Sequence, residues 1–219
     1  MLSMKDMKPL ALSLLIGVAV LLQCGRAEAG PRETLVVAGG CFWCVEADFE
    51  KVRGVIEVES GYTGGNVKNP TYKQVTRGGT GHYEAAEITF DAGQVSRKQL
   101  LEMFFRSIDP TDAGGQFCDR GESYRTAVFV SDSAEKALAE KVKAEAQAAL
   151  GQKIVTPILG AKTFWTAEDY HQDYYKSKEL VLTRAGPKSK ASAYDFYRKA
   201  CRRDQRVREL WGSAAPFTG

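Results

Sequence analysis

The chain has 219 residues, of which 44% are apolar and 26% charged, ordinary values for a soluble globular protein long enough to bury one sizeable core. Its net charge of +3 supplies neither the basic field that nucleic acid requires nor a membrane-surface patch, so no nucleic-acid partner is expected. No heptad or solenoid period is visible. The only two histidines, His82 and His171, are too far apart in sequence to suggest a metal site.

The N-terminus reads as a leader rather than as part of the fold. Lys5 and Lys8 precede an apolar run from Leu10 to Leu22, and Ala27-Glu28-Ala29 is a small-x-small cleavage site. Residues 1–29 are therefore expected to be a signal peptide and residues 30–219 a single domain. The product is exported to a periplasmic or secreted location and makes no stable membrane association after cleavage. An uncleaved anchor is the alternative, although the run is short for a spanning helix. Leu21-Leu22-Gln23-Cys24 has the outline of a lipid-attachment site, but Gln23 stands where a small residue is normally required. Cleavage after Ala29 removes Cys24, so of five cysteines the mature chain keeps Cys41, Cys44, Cys118 and Cys201. That is too few for a disulfide scaffold. Redox-active thiols, or one structural bridge, fit an oxidising compartment better.

In chain order, Thr34–Ala38 is an apolar run of strand length. Val45, Phe49 and Val52 then recur at helical spacing, with Gly54 closing the helix. Val55–Ser60 alternates as a second strand. Residues 61–82, rich in Gly, Thr and Asn, read as a long functional loop containing Tyr72. Tyr83–Phe90 is a third strand with Glu84 near its start. Leu100, Leu101, Phe104, Phe105 and Ile108 stripe a helix that Ser96 caps. A Gly-rich loop, 109–123, carries Cys118 and Asp119. Tyr124–Val130 is a strand, and Ser133–Leu150 a strong helix ended by Gly151. Lys153–Leu159 is a last strand, placed at an edge or bulge by Pro157. Thr166 caps a short helix through Tyr175, residues 183–192 are a polar linker, and Ala193–Leu210 is a helical tail holding Cys201. The order β-α-β-β-α-β-α-β is that of an α+β fold, a mixed sheet with helices on it.

The stretch most suited to chemistry is Gly39-Gly40-Cys41-Phe42-Trp43-Cys44-Val45-Glu46. It places Cys41 where a strand turns into a helix N-terminus. Free backbone N–H groups and the helix dipole favour an anion there, so the Cys41 thiol is expected to have a lowered pKa and to act as a nucleophile. Phe42 and Trp43 add aromatic surface for a partly apolar electrophile. A buried free cysteine, half of a zinc site and a redox dithiol are the competing readings. Zinc is weak, because Cys118 and Cys201 form no second close pair.

Gly40-Cys41-Phe42-Trp43 with Val45-Glu46 resembles the active-site signature of the A-type peptide methionine sulfoxide reductases. Five further segments match in order: Gly61-Tyr62-Thr63-Gly64-Gly65, Asn69-Pro70-Thr71-Tyr72, Gly81-His82-x-Glu84, Asp119-Arg120-Gly121 with Tyr124-Arg125, and Ala167-Glu168-Asp169-Tyr170-His171-Gln172. The resemblance implies a two-layer, ferredoxin-like core with long irregular loops and an extended C-terminal segment. It implies thiol-dependent reduction of methionine S-sulfoxide, protein-bound and free, in the repair of oxidised proteins. Cys41 would be the nucleophile and Glu84 the acid that protonates the oxygen, although Glu84 taken alone reads as a solvated strand residue. Tyr72 and Tyr124 would hold the oxygen, while Phe42, Trp43 and Asp119 would bind substrate. His171 would support the site from behind.

No cofactor is implied beyond an external, thioredoxin-like thiol reductant, and the chain is expected to act as a monomer on oxidised proteins, peptides and methionine sulfoxide. The sulfenic acid left on Cys41 would be resolved by Cys201, slightly favoured as a tail cysteine, or by Cys44, one helical turn away; Cys118 is a third candidate. The chain departs from the family in having Cys44 where many relatives have Gly, and in lacking glycines around Cys201. Two other readings are a thioredoxin-type thiol–disulfide oxidoreductase using Cys41 and Cys44, and a non-catalytic exported domain with a structural disulfide.

Overall fold

The computed structural model describes residues 30–183 and 186–218. The expected leader and its cleavage site lie outside the described residues. Among the described residues, no helix is long and apolar enough to cross a membrane.

Strand β1 (Arg32–Gly39) shows how the sheet divides the molecule. Leu35 and Val37 enter the main core, while Val36 and Ala38 pack with Tyr83, Ala85, Ala127 and Phe129 on the opposite face. This is the period-two alternation of a strand covered on both sides. Helix α1 (Phe42–Phe49) returns the chain to β2 (Val55–Thr63), which turns back through β3 (Tyr83–Asp91). The short helix α2 (Tyr72–Arg77) lies between β2 and β3. Helix α3 (Arg97–Ser107) then crosses to β6 (Thr126–Val130). In the sheet β1 pairs antiparallel with β3 and β6, and β2 pairs antiparallel with β3. The order β6-β1-β3-β2 from a β-α-β-β-α-β unit is the expected ferredoxin-like arrangement.

Two short strands extend it to six. β7 (Ile158–Gly160) adds to β6 in parallel, and β8 (Trp165–Thr166) adds to the outer edge of β2. Helix α4 (Ser133–Leu150) connects β6 to β7, starting from the Asp132 side chain, which accepts from Glu135 N–H at 2.8 Å, and ending at Gly151. Leu100, Leu101, Phe104, Phe105 and Ile108 fill the main core between α3 and the sheet. Ser96 and Gln99 close a reciprocal capping box at the start of α3.

Several expectations are corrected. Gly54 does not close α1, which ends at Phe49; Gly54 sits in the following turn at φ +95°. Residues 61–63 are strand, not loop, and Gly61 is needed there because a Cβ would lie 2.4 Å from the Phe164 ring. The remainder of 61–82 contains α2, nucleated by a Thr71–Gln74 capping box. Within 109–123, β4 (Gly115–Gln116) and β5 (Asp119–Arg120) form a tight hairpin. The last sheet strand is shorter than expected, since residues 153–157 approach the sheet as loop; its edge position agrees with Pro157.

Residues 166–175 do not form one helix. Thr166 ends β8, and only Asp169–His171 makes a single 3-10 turn. Residues 183–192 are no linker: β9 (Leu180–Thr183) and β10 (Gly186–Ser189) pair as a hairpin, and Ser189 caps helix α5 (Lys190–Ala200). The tail breaks at Arg202, whose φ of +56° separates α5 from α6 (Arg203–Trp211). The tail is docked, with Val207 and Trp211 belonging to the main core. Arg203 is buried, donates to Gly39 C=O at 3.2 Å and Ser107 C=O at 2.9 Å, and lies over the Phe117 ring. Arg198 pairs with buried Asp48 of α1 at 2.8 Å. Arg198 is thus paired in a partly buried place, and the buried Arg203 has partners for both terminal nitrogens while its Nε faces Asp48 only at 3.9 Å.

Candidate active site

Cys41 is the residue immediately before α1, and the two glycines ahead of it are forced by packing. At Gly39 a Cβ would meet Val45 at 2.9 Å. Gly40 has φ +82°, and a Cβ there would lie 2.5 Å from that of buried Gln116. The loop before β6 is thus pressed against the turn that carries Cys41. Gln116 in turn is fixed by accepting from Asp109 N–H at 2.9 Å and donating to Asp109 C=O at 2.8 Å.

Cys41, Phe42, Trp43, Tyr72, Glu84, Asp119, Tyr124 and Tyr197 line one small pocket of about 60 Å³. The sequence named the first seven; the structure adds Tyr197 of α5. Glu84 enters from β3, where it sits opposite Tyr62 of β2. It is 1% exposed, its Oε2 accepts from Phe42 N–H at 3.2 Å, and its Oε1 is buried with no partner among the described residues. Burial raises its pKa to about 8 against the opposing pull of the Phe42 N–H, with the Asp119 charge pushing the same way. It is therefore mainly protonated at neutral pH. The Tyr124 hydroxyl stands beside Glu84 and the Tyr72 hydroxyl in the same pocket, so the two phenols and the carboxyl form one polar corner. Burial and the nearby Glu84 charge raise both phenols well above the ordinary tyrosine range, which keeps them proton donors.

Facing that corner is an aromatic wall. Trp43 stacks on Tyr174 with ring centroids 3.8 Å apart. His171 sits 5.1 Å from Phe42, 5.6 Å from Trp43 and 4.4 Å from Tyr72. Both of its nitrogens are buried without protein partners, and burial pushes its pKa down to about 4. It is a neutral aromatic plate behind the wall, in agreement with its expected supporting place. The segment bearing it is clamped to the sheet. Gln172 accepts from Ser60 N–H and donates to Ser60 C=O, Glu46 accepts from Ser60 Oγ and Asp173 N–H, and Glu168 accepts from the Tyr62 hydroxyl and Tyr72 N–H. His82 faces away from the pocket. Its Nδ1 accepts from Gly65 N–H and its Nε2 donates to Val67 C=O, which pins the loop after β2.

The thiols depart from expectation. Cys41 is 6% exposed, and its pKa is raised, not lowered. Burial is the largest cause; the hydrogen bond and charge of Cys44 and the carboxylates Glu84 and Asp119 add to it. Together they outweigh the helix N-terminus. Cys44 has the lowered pKa, because the neighbouring Cys41 thiol favours its thiolate and Arg203 and Arg198 lie behind it, overcoming its own burial. Of this pair, Cys44 ionises first. Cys201, at the end of α5, is not free, for it forms a disulfide with Cys118. A free dithiol and a closed disulfide beside one pocket fit a cycle that alternates thiol and disulfide.

Tyr197 was missed in the sequence. It donates to Asp119 Oδ2, whose Oδ1 faces the neighbouring Cys118 sulfur. Its signal was the spacing of Tyr194, Tyr197, Arg198 and Cys201, which puts them on one helical face.

Comparison with known proteins agrees with this geometry. Residues 33–205 match the family model described as peptide methionine sulfoxide reductase. The chain is 48% identical over 197 residues to "Peptide methionine sulfoxide reductase MsrA 2" of Caulobacter vibrioides, covering 89% of this chain and 94% of that one. It is 46% identical over 191 residues to the protein of the same name from Rhizobium meliloti, covering 86% and 88%. Among solved structures, Mxr1 of Saccharomyces cerevisiae in reduced form superposes with a TM-score of 0.63 at 31% identity, over 65% of this chain and 83% of that one. Methionine sulfoxide reductase A of Corynebacterium diphtheriae superposes with a TM-score of 0.59, also at 31% identity, over 68% and 75%. With matches across nearly the whole of the relatives' length, and a sheet and a pocket of the expected kind, the chain belongs to the peptide methionine sulfoxide reductase family and is an oxidoreductase acting on methionine sulfoxide.

Proposed function

We propose that this enzyme reduces the S epimer of methionine sulfoxide, in proteins and as the free amino acid, by the following division of labour. The observation that carries the reading is the unpartnered, buried Oε1 of a protonated Glu84 in the same small pocket as the Cys41 sulfur. The S-methyl group lies against Phe42 and Trp43, and the sulfoxide oxygen is held by Tyr72 and Tyr124. Asp119 accepts from a substrate amide N–H. Cys41 attacks the substrate sulfur and passes its proton to Cys44, its neighbour in the same buried cluster and the more acidic of the two. Glu84 gives its proton to the oxygen. The oxygen then passes to Cys41: a Cys41 S–O bond forms while the substrate S–O bond and the transient bond between the two sulfurs break, so methionine leaves and Cys41 is a sulfenic acid. Sulfur is reduced by two electrons in the substrate and oxidised by two at Cys41.

Cys44 then attacks the Cys41 sulfur. The proton of Cys44 and the hydroxyl leave as water, and a Cys41–Cys44 disulfide closes. The preference for Cys201 as resolving thiol gives way to Cys44, because Cys201 is paired with Cys118 while Cys44 already touches Cys41. A thioredoxin-like dithiol reduces this disulfide and restores both thiols, itself becoming a disulfide. We propose further that the chain is exported, is cleaved after Ala29 and works as a monomer in oxidative protein repair, the lysines and apolar run of residues 1–29 supporting the export.

The test is single-turnover reduction of the two sulfoxide epimers of a blocked methionine. One equivalent of methionine from the S epimer and none from the R epimer is expected. Equal turnover of both overturns the assignment.

A further inference from the structure

The Cys118–Cys201 disulfide is not used by the steps above. It joins two segments that a second bond also joins. Tyr197, one turn before Cys201 on α5, donates to Asp119, the residue after Cys118. Both Tyr197 and Asp119 line the pocket. A covalent link and a hydrogen bond thus run side by side between the same pair of strands of chain, 83 residues apart in sequence. Cys118 is exposed, Phe196 stands largely in solvent, and the following residue Arg202 breaks the helix. The exposed Cys118 end leaves this disulfide open to exchange with an external dithiol.

We propose that the Cys118–Cys201 disulfide is a latch that holds Tyr197 against Asp119, so that the redox state of this pair sets how well the pocket takes methionine sulfoxide. The inference rests on the reading of Asp119 as a substrate-binding carboxylate. An external dithiol opens the latch by exchange: two S–H bonds form at Cys118 and Cys201, and the dithiol becomes a disulfide. The open form keeps Cys41, Cys44 and Glu84 in place, because α1 and β3 do not depend on the latch. It loses the fixed Tyr197 wall. Tyr197 is therefore a positioning residue, acting on substrate through Asp119.

Asp119 is faced by Cys41, Tyr72, Glu84 and Tyr124 across the pocket, by Tyr197 from α5 and by Arg203 from α6. Burial raises its pKa, and Tyr197 and Arg203 oppose that. Removing the Tyr197 hydroxyl thus makes Asp119 easier to protonate.

The experiment measures KM and the saturating single-turnover rate on an S-sulfoxide peptide for the full mature chain. Thiol counting verifies the state of the 118–201 pair in each sample. Tyr197→Phe is expected to raise KM about tenfold, the worth of one hydrogen bond to a charged group, with the saturating rate within about twofold of wild type. The acid limb of the KM profile moves to higher pH in that variant. Cys118→Ser with Cys201→Ser raises KM by a similar factor, and adding Tyr197→Phe raises it little more, because both changes break one device. If the double serine variant does not fold, selective reduction of the wild-type disulfide is measured instead, with the same expected rise. Additive effects on KM overturn the proposal. So does an unchanged KM in the unlatched protein, and so does normal KM with failed recycling, which would put the pair on the electron path. If wild type yields no methionine in a single turnover, the reading of the site fails, a result distinct from any of these.

Discussion

Replacing Glu84 by glutamine removes one proton and almost no volume, and its cost follows from the environment of the carboxyl. With a pKa of about 8, Glu84 is roughly 90% protonated at pH 7, whereas at the ordinary 4.5 it would be about 0.3% protonated. The pocket, with burial as the largest cause, therefore raises the fraction of competent acid by about 300-fold. The hydrogen bond from Phe42 N–H to Oε2 can be kept by the amide oxygen, so the pocket should survive. Glu84→Gln is expected to slow single-turnover methionine formation by about 10²–10⁴, the range for loss of a general acid, while substrate affinity changes little.

The assay is rapid quench across pH 6–10, read as the ratio of wild-type to variant rate. The ratio removes the thiol ionisation common to both proteins and leaves the part set by the Glu84 charge, which holds the wild-type Cys41 thiol protonated and so lowers the ratio further above pH 8. It should be flat below about pH 8 and fall roughly tenfold per unit above it, as wild type loses its acid. A ratio that stays constant through pH 9 would show that the Glu84 proton takes no part. The same substitution carries a stability signature. A carboxyl whose folded pKa is raised from 4.5 to about 8 destabilises the fold progressively as pH rises between those values. The full shift corresponds to about 5 kcal/mol as an upper bound. Glu84→Gln should thus have a higher urea midpoint than wild type at pH 9 and nearly the same midpoint at pH 4.

Two other substitutions separate the parts of the site. Cys41→Ser should form no methionine even in one turnover, whereas Cys44→Ser should form one equivalent, stall with a trappable sulfenic acid on Cys41, and fail to recycle with a dithiol protein donor. Steady-state cycling of Cys44→Ser at the wild-type rate would move the resolving step to another thiol. Gly40→Ala places a Cβ 2.5 Å from that of Gln116 at a φ of +82°, so it should cost about 1–3 kcal/mol of stability and lower single-turnover rate by displacing Cys41. A thermal midpoint and rate equal to wild type would refute the close approach.

The elements that local chemistry encodes were legible without coordinates. Ser96, Gly151 after an Ala- and Glu-rich run, and the apolar stripe of α3 are self-sufficient signals, and the helices lie where they point. The capping box at Thr71 and Gln74 was equally local, yet it stood unread inside a segment dominated by glycines. Pairings across the chain were not legible. β8 exists because Gly61 leaves room for Phe164, and the β9–β10 hairpin because Leu180–Thr183 finds Gly186–Ser189. Neither follows from composition.

The reacting residues were read from motifs, but their charge states were not. The helix N-terminus argued for an acidic Cys41, while the opposing terms, burial and the carboxylates of Glu84 and Asp119, come from residues that only folding assembles. Tyr197 escaped because its contact with Asp119 joins two segments that the sequence keeps far apart.

Synthesis order gives the docked tail a further meaning. Cys41 and Cys44 leave the ribosome early, but Arg198, which pairs with Asp48, and Arg203, which holds the Gly39 carbonyl, are made near the end. Until they arrive the turn before Cys41 lacks its clamp, and Cys118 cannot find a partner that has not yet been translated. Without these helices the pocket lacks Tyr197 and the turn before Cys41 lacks Arg203. The enzyme becomes selective for its oxidised substrate, rather than reactive toward any oxidant, only when its last two helices close on the first.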